Sequence, residues 1–325
     1  MDILELIKNK VDSYDQDFPQ LRGVRAVITH LEVAEKYLEL AKSSKEDHFY
    51  TDIIYRTNHV FEGILKEAYL SIEGKSDSKK KPYEIEQYLI DHSLLKERVL
   101  DLFTNYRKDW RNPSTHDYQL FFSEQESFLA IVTVSAFVNI LLDQIIESIS
   151  FRAEKEIVEN QKQEIIDSIK NYSTKGFVDK IVSLTLEFLK GLSKTQIKSE
   201  AHFIGLLSGY ITSIEPDFKI HTEYKVQNGR QSSYIDIMIT HNNEKIIFEI
   251  KRGRLYSQSE LGKTADKNAM EQLIAYMTMT GIRNGILLFT PVNNEDHIVM
   301  APHFINIGDN EFSVYEFRQH KIEEE

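Results

Sequence analysis

Residues 234–251 read YIDIMITHNNEKIIFEIK, and they decide the fold of the second half of this 325-residue chain. Apolar side chains recur at alternate positions on both sides of His241-Asn242-Asn243, a pattern typical of two strands joined by a hairpin turn. The flanking elements are predicted from the same kind of pattern, with helices over 201–212 and 265–280 and strands over 220–226 and 285–290. The second half is therefore predicted to be α/β with a mixed central sheet.

Two carboxylates interrupt the apolar strands of this hairpin. A period of two places Glu249 beside Lys251 on one face of its strand, and the hairpin can bring Asp236 close to Glu249. Acidic groups inside apolar strands are costly without a partner, and Mg²⁺ binds through one or two carboxylates while it keeps several waters. Lys251 could then position a water molecule and offset negative charge on a phosphate. The alternative is an ordinary sheet whose Glu249 and Lys251 form a surface ion pair.

Asp236 followed by Glu249-Ile250-Lys251 resembles the signature of the PD-(D/E)XK, restriction-endonuclease-like nucleases, with Ile235 in place of the proline. Glu200 lies where many members carry a further metal-binding acid, and Gln272 with Tyr276 resembles the Q-x-x-x-Y element of one branch. The resemblance implies a nuclease that uses Mg²⁺ or Mn²⁺. Its metal ligands would be Glu200, Asp236 and Glu249, Lys251 would orient water, Gln272 would assist catalysis, and Tyr276 would contact nucleic acid.

Basic residues follow the second strand of the hairpin and are candidate phosphate contacts. They are Arg252, Arg254, Lys263 and Lys267. Their alternative role is that of solvated surface charges, which need no partner.

The first half of the chain reads as an all-α bundle of about four or five helices. Helices are predicted over 24–40, 48–72, 94–106 and 123–149, with a short helix opened by Pro82. The segment 128–142 is strongly apolar, but it is shorter than a bilayer requires, so we expect a buried core helix and no membrane partner.

A second motif, Arg111-Asn112-Pro113-Ser114-Thr115-His116, is predicted to lie between two of these helices. An imidazole can transfer a proton near neutral pH while a guanidinium stabilises a phosphate transition state. The bundle with this R-N-x-x-x-H motif resembles the HEPN superfamily, in which ribonuclease members usually assemble the site across a homodimer. The resemblance implies catalytic roles for Arg111 and His116, supported by polar residues of the helix that carries Asn58 and Glu62. In the alternative, Arg111 caps a helix and His116 is a surface residue.

Length and composition complete the expectations. At roughly 150 residues per domain the chain holds about two, which we place at residues 1–150 (HEPN-like) and 198–325 (nuclease-like), with a helical connector over 151–197. The net charge of −12 means that nucleic acid must contact a local basic surface or a bound cation. The chain has no cysteine, which excludes disulfides, thiolate metal sites and a thiol nucleophile, and it makes the cytoplasm the default location.

Taken together, these patterns favour a metal-dependent nuclease, with DNA as the favoured and RNA as the possible substrate. The resemblances imply a homodimer or higher oligomer, a role in prokaryotic anti-phage defence, and a partner subunit of a defence system. Two other readings stay open. One is a metal-independent HEPN ribonuclease whose second domain acts as a sensor, and the other is a non-catalytic, dimeric, nucleic-acid-binding regulator.

Overall fold

The computed structural model describes residues 2–14, 17–75, 78–116, 121–192, 197–228, 231–253, 260–291, 297–307 and 310–320. The chain divides into two compact units, Met1–Ile149 and Ser150–Glu325. Helices alone build the described part of the first unit, and a mixed six-stranded sheet is the centre of the second. The predicted layout, an N-terminal helical bundle followed by an α/β domain with a mixed sheet, is confirmed.

The helices of the first unit begin and end at recognisable signals. Asp2 caps the first helix by accepting hydrogen bonds from the backbone of Leu4 and Glu5. Gly74 ends the third helix in the left-handed conformation that a glycine C-cap favours, and Pro82 opens the fourth, as predicted. The helices are α1 (Ile3–Ser13), α2 (Arg22–Ser44), α3 (His48–Glu73), α4 (Pro82–Asp91), α5 (Glu97–Tyr106), α6 (Asn112–His116) and α7 (Glu124–Ser168), of which α7 extends beyond this unit from Ser150 onward.

Helix α7 supplies much of the core of the first unit. It is long and apolar enough to cross a membrane by length and composition, but 56% of its most apolar window is buried within the protein. Its fully buried side chains include Val134, Phe137, Leu141 and Ile145, and the ring of Phe137 lies 5.2 Å from that of Phe61. The first part of α7 is thus a core helix, as expected. It continues to Ser168, beyond the predicted end at 149, because residues 150–168 contain neither Gly nor Pro, the two residues that most disfavour a helix interior.

The second unit is built on a sheet with the strand order β1-β2-β3-β4-β6-β5. The strands β1, β2 and β3 are antiparallel, β4 runs parallel to both β3 and β6, and β5 is antiparallel to β6. The elements of this unit are α8 (Phe177–Gly191), α9 (Glu200–Ile214), β1 (Lys219–Asn228), β2 (Gln231–His241), β3 (Glu244–Lys251), α10 (Glu260–Thr280), β4 (Asn284–Phe289), β5 (His297–Ile307) and β6 (Asn310–His320).

Apolar residues cover both faces of this sheet. On one face, Phe248 of β3 belongs to a core shared with α8 and α9, which places α8 in the second unit. On the other, Ile247 packs in a core shared with α10, where Gly285 allows a close approach by Met277. The predicted alternation of β3 is therefore observed. The sequence did not define the β5–β6 hairpin, because Pro302 interrupts the strand pattern, and β5 accommodates it at the edge of the sheet.

Candidate active site

The β2–β3 hairpin brings the two predicted carboxylates together. Ile237 pairs with Phe248, so the same register places Asp236 opposite Glu249, one residue beyond the last paired position. A carboxylate oxygen of Asp236 accepts a hydrogen bond of 2.6 Å from the backbone N–H of Ile250. Asp236 is thereby fixed against β3, next to the Glu249–Lys251 pair.

Glu249 is a buried carboxylate with an incomplete set of partners. Its exposed fraction is 1%, and its Oε1 atom is ion-paired with Nζ of Lys251, whose side chain is 34% exposed. Its second oxygen, Oε2, has no hydrogen-bond partner among the described residues. Burial raises the pKa of Glu249, although Lys251 opposes the shift, and burial together with the charge of Glu249 raises the pKa of Asp236. The site thus holds two carboxylates whose ionised forms lack full compensation.

The alternation of β2 breaks at this site. Ile237 and Ile239 pack in the core on the α8–α9 side, whereas Ile235 packs on the α10 side. Glu223 of β1 lies opposite Asp236, between two paired positions, and has a φ of 49°. Side chains other than glycine rarely adopt this left-handed conformation, and such residues concentrate at functional sites. The sequence analysis missed Glu223, for which the only signal is an acidic residue within a strand pattern.

The other residues implied by the nuclease resemblance surround the carboxylate pair. Glu200 is the first residue of α9, is exposed, and contributes to the raised pKa of Glu249. On α10, Gln272 donates a hydrogen bond of 2.9 Å to the hydroxyl group of Tyr276. Burial raises the pKa of Tyr276, and the charges of Glu249 and Asp236 add to the shift. Glu200 and Tyr276 therefore interact electrostatically with the carboxylate pair, and Gln272 is linked to it by its hydrogen bond with Tyr276.

A cleft of about 350 Å³ lies where the parallel strands β3 and β4 end and α9 begins. The backbone around it is fixed by a hydrogen bond of 3.0 Å from Gly253 N–H to the hydroxyl oxygen of Thr290. Two basic residues line it, Lys198 and Arg252, together with Ile197, Ser199, Glu200, Gly253, Thr290 and Pro291. Ligands of open α/β sheets bind outside the carboxyl ends of parallel strands.

The other predicted phosphate contacts are not brought to this cleft by anything that the structure describes. Arg254 and the side chain of Lys263 lie outside the described residues. Lys267 is highly exposed and pairs with Glu271 at 3.6 Å. Of the four basic candidates, Arg252 is thus the one with a position that fits its predicted role.

The carboxylates of Asp236 and Glu249 are suitable ligands for one divalent cation. In the described ranges no group of three or more His, Asp or Glu side chains could hold a metal ion, so the predicted set of Glu200, Asp236 and Glu249 is not assembled. Glu200 is exposed at its helix start, while Asp236 and Glu249 converge in the sheet. Carboxylate oxygens are hard ligands, and Mg²⁺ is usually bound by one or two carboxylates with water in the remaining positions. Oε2 of Glu249 has no hydrogen-bond partner among the described residues that would compete with such a bond.

The motif of the first unit follows α5 and precedes α7, as predicted, but it is itself helical. Helix α5 passes through a π-helical turn, Arg107–Arg111, directly into α6. Proline cannot donate the backbone hydrogen bond of an α-helix interior, and a π-turn changes the hydrogen-bond pattern just before Pro113. The motif is therefore held on a continuous helical path.

Arg111 lies among carboxylates. Its guanidinium group is 3.6 Å from Glu62 Oε1 and 3.8 Å from Glu86 Oε1. Glu86 is 5% exposed, and burial raises its pKa although Arg111 opposes the shift. Asn58, the polar residue expected to support the motif, donates a hydrogen bond of 2.8 Å to Ser114. The side chain of His116 lies outside the described part of the chain.

The structure thus brings together Asp236, Glu249 and Lys251 and pairs Gln272 with Tyr276. The sequence analysis named Glu62 but missed Glu223 and Glu86. A carboxylate on another helix, such as Glu86, gives no local signal beside the motif that it contacts.

Comparisons of the chain with protein-family models, with curated proteins and with solved structures gave no match.

Proposed function

We propose that the second unit is a metal-dependent nuclease that hydrolyses nucleic-acid phosphodiester bonds. The observation that carries the proposal is the buried Glu249, which has an oxygen without a hydrogen-bond partner and lies between Asp236 and Lys251. A buried carboxylate pair with raised pKa values is costly for the fold, and such costs are concentrated at functional sites.

Asp236 and Glu249 would hold Mg²⁺ or Mn²⁺. When bound, such an ion would lower the pKa of a water molecule and polarise the phosphate. Lys251 has a partly exposed side chain whose Nζ atom is held beside Glu249. From that position it can orient the attacking water and offset charge on the phosphate as the bond to the leaving oxygen breaks. Gln272, whose side-chain amide donates a hydrogen bond to the hydroxyl group of Tyr276, would hold that tyrosine in position on the α10 side of the site.

The cleft beside the site supports a phosphate-bearing substrate. Arg252 immediately follows β3 and lines the cleft together with Lys198. The lining holds two basic residues and one acidic residue, Glu200, and in a chain with a net charge of −12 an anionic backbone requires such a local excess of positive charge. DNA is the favoured substrate because the motif resembles that of restriction-endonuclease-like enzymes, and RNA is the other candidate.

The cellular setting is part of the same proposal. The pairing of a HEPN-like bundle with a nuclease-like domain resembles prokaryotic anti-phage proteins, which implies a cytoplasmic enzyme that damages nucleic acid. A homodimer or a larger assembly with a partner subunit is expected on the same ground. The buried apolar face of α7 agrees with a soluble protein.

Cleavage of end-labelled duplex DNA, single-stranded DNA and RNA tests the proposal when each is incubated with Mg²⁺, with Mn²⁺ and with EDTA. We expect cleavage of DNA that requires a metal ion and is lost in Glu249→Gln. RNA cleavage that persists in EDTA and is lost in His116→Ala would move the activity to the first unit. The contacts of Arg111 with two carboxylates do not favour that ribonuclease, which stays a prediction.

A further inference from the structure

A cluster of one arginine and two histidines lies between helices α2 and α3 of the first unit. It consists of His30 on α2 and of Arg56 and His59 on α3. The imidazole rings of His30 and His59 are stacked with centroids 5.2 Å apart and planes inclined by 22°. Nη1 of Arg56 lies 3.4 Å from Nδ1 of His30. Three nitrogen-rich groups thus share one small area of the surface.

Close helix packing creates this arrangement. Gly63 lies one turn after His59, and a Cβ atom there would lie 3.1 Å from Val27, one turn before His30. The missing side chain lets α2 and α3 approach, so their facing imidazoles reach stacking distance. On α3 the spacing of three residues places Arg56 and His59 on the same face. The cluster is therefore fixed by the backbone of two packed helices.

The charge of this cluster is not balanced by acid. Arg56 contacts the imidazole of His30 and lies 5.8 Å from the ring centroid of Tyr37, and within the described part of the chain it forms no ion pair with a carboxylate. Burial lowers the pKa of His30, and the charges of His59 and Arg56 lower it further. This contrasts with Arg111, which contacts two carboxylates.

A guanidinium group carries only donors, so Arg56 donates to Nδ1 of His30, and the neutral ring carries its proton on Nε2. The cluster consequently presents N–H donors, and within the described ranges Arg56 is not ion-paired with a carboxylate. His59 is exposed, and Arg56 and His30 are half-buried, so a small ligand can reach all three. Arginine with neighbouring imidazoles is well suited to the oxygens of a phosphate group.

We propose that His30, Arg56 and His59 form a phosphate-binding site on the first unit, separate from the nuclease site of the second. An oxygen of the phosphate replaces Nδ1 of His30 as the acceptor for Arg56, and His59 donates a second hydrogen bond from the exposed side. The phosphate comes either from a free nucleotide or from a nucleic-acid backbone. Phosphate binding at this site requires neither a metal ion nor cleavage, so its test does not depend on the nuclease proposal.

The test is a titration of the full-length protein with inorganic phosphate in EDTA at one fixed pH, followed through the imidazole NMR signals. Signals of His30 and His59 are identified by their loss in His30→Gln and His59→Gln. We expect both to shift saturably, and we expect Arg56→Gln to weaken the affinity about tenfold because a charge-assisted hydrogen bond is lost. Arg25→Gln is the matched control, since it removes an exposed arginine of α2 that pairs with Asp12, and it should leave the affinity unchanged.

A mononucleotide and a dinucleotide without a terminal phosphate distinguish the two sources. Stronger binding of the mononucleotide assigns the site to free nucleotides, and stronger binding of the dinucleotide assigns it to the backbone. Signals that do not move with any of the three ligands would overturn the proposal. So would shifts that are as large in Arg56→Gln as in the wild type. Because His59 is exposed, His59→Gln should stay folded and provides a second variant in which the affinity must fall.

Discussion

Both units place basic side chains beside a buried carboxylate, but the two clusters differ in their balance of charge. In the first unit the buried Glu86 faces two cations, Arg107 and Arg111. In the second, the buried Glu249 is ion-paired with Lys251, and a second carboxylate lies beside this pair. Among the described residues each cluster holds one carboxylate oxygen without a hydrogen-bond partner, Oε1 of Glu86 and Oε2 of Glu249. The difference teaches that the carboxylates of a motif favour a metal ion where they outnumber the cations that face them.

The largest effect on cleavage is expected from substitutions of the carboxylates of the second unit. We expect Asp236→Asn or Glu249→Gln to reduce metal-dependent cleavage at least about a hundredfold, because each removes a charged ligand oxygen. Initial rates on duplex DNA measure the effect. Glu244→Gln changes an exposed carboxylate of the same strand and should cleave like the wild type. Equal losses in all three variants would contradict the assignment.

A loss of the same kind, but with metal binding retained, is expected for Lys251→Gln. Removing a group that stabilises developing charge typically slows a reaction by about a hundredfold or more. Mn²⁺ binding followed by electron paramagnetic resonance should stay near the wild-type level, since both carboxylates remain. Lys245→Gln, at an exposed position of the same strand, is the control for charge alone. Unchanged cleavage in Lys251→Gln would remove this residue from the mechanism.

A substitution at Arg111 should lower the stability of the first unit and leave DNA cleavage by the second unit unchanged. Arg111→Gln removes the less exposed of the two arginines that face the buried Glu86, and we expect a loss of about 1–3 kcal/mol in the stability of that unit. Arg107→Gln removes the more exposed partner of Glu86 and should cost less. Thermal unfolding measures both variants. Metal-dependent cleavage of DNA by Arg111→Gln should equal that of the wild type, and a parallel loss of cleavage would contradict the separation of the two clusters.

A smaller effect follows from the raised pKa of Asp236. A carboxyl group whose pKa is higher in the folded than in the unfolded state favours folding while it is protonated, and this contribution is lost as the pH rises through the folded value. In EDTA at pH 8, Asp236→Asn should therefore unfold roughly 2–4 °C above the wild type. The asparagine oxygen can still accept from Ile250 N–H. The difference in unfolding temperature between Asp236→Asn and the wild type should vanish at acidic pH. A difference that increases as the pH falls would contradict the predicted direction.

The sequence predicted those parts of the fold that depend on local patterns. The alternation of Ile246 to Lys251 identified which face of β3 carries Glu249, and Gly74 and Pro82 marked helix boundaries. Tertiary features were not predictable in this way. Neither the π-helical hydrogen bonding of Arg107–Arg111 nor the left-handed φ of Glu223 follows from the spacing of apolar residues, which is the pattern that the sequence offers.

The site shows the same limit. The hairpin could be expected to bring Asp236 to Glu249, because both lie in one short stretch of chain with a definite turn. The contact of Arg111 with Glu86 joins residues 25 positions apart on different helices, and its geometry depends on how those helices pack. Motif residues were therefore found, while the residues that decide whether the motif is available were not.

The most direct test of the account is cleavage of one labelled duplex DNA in Mg²⁺ by the wild type, Asp236→Asn and Arg111→Gln in parallel, each repeated in EDTA. The account predicts cleavage by the wild type and by Arg111→Gln, none by Asp236→Asn, and none in EDTA. Cleavage by Asp236→Asn at the wild-type rate, or cleavage that survives EDTA, would contradict it.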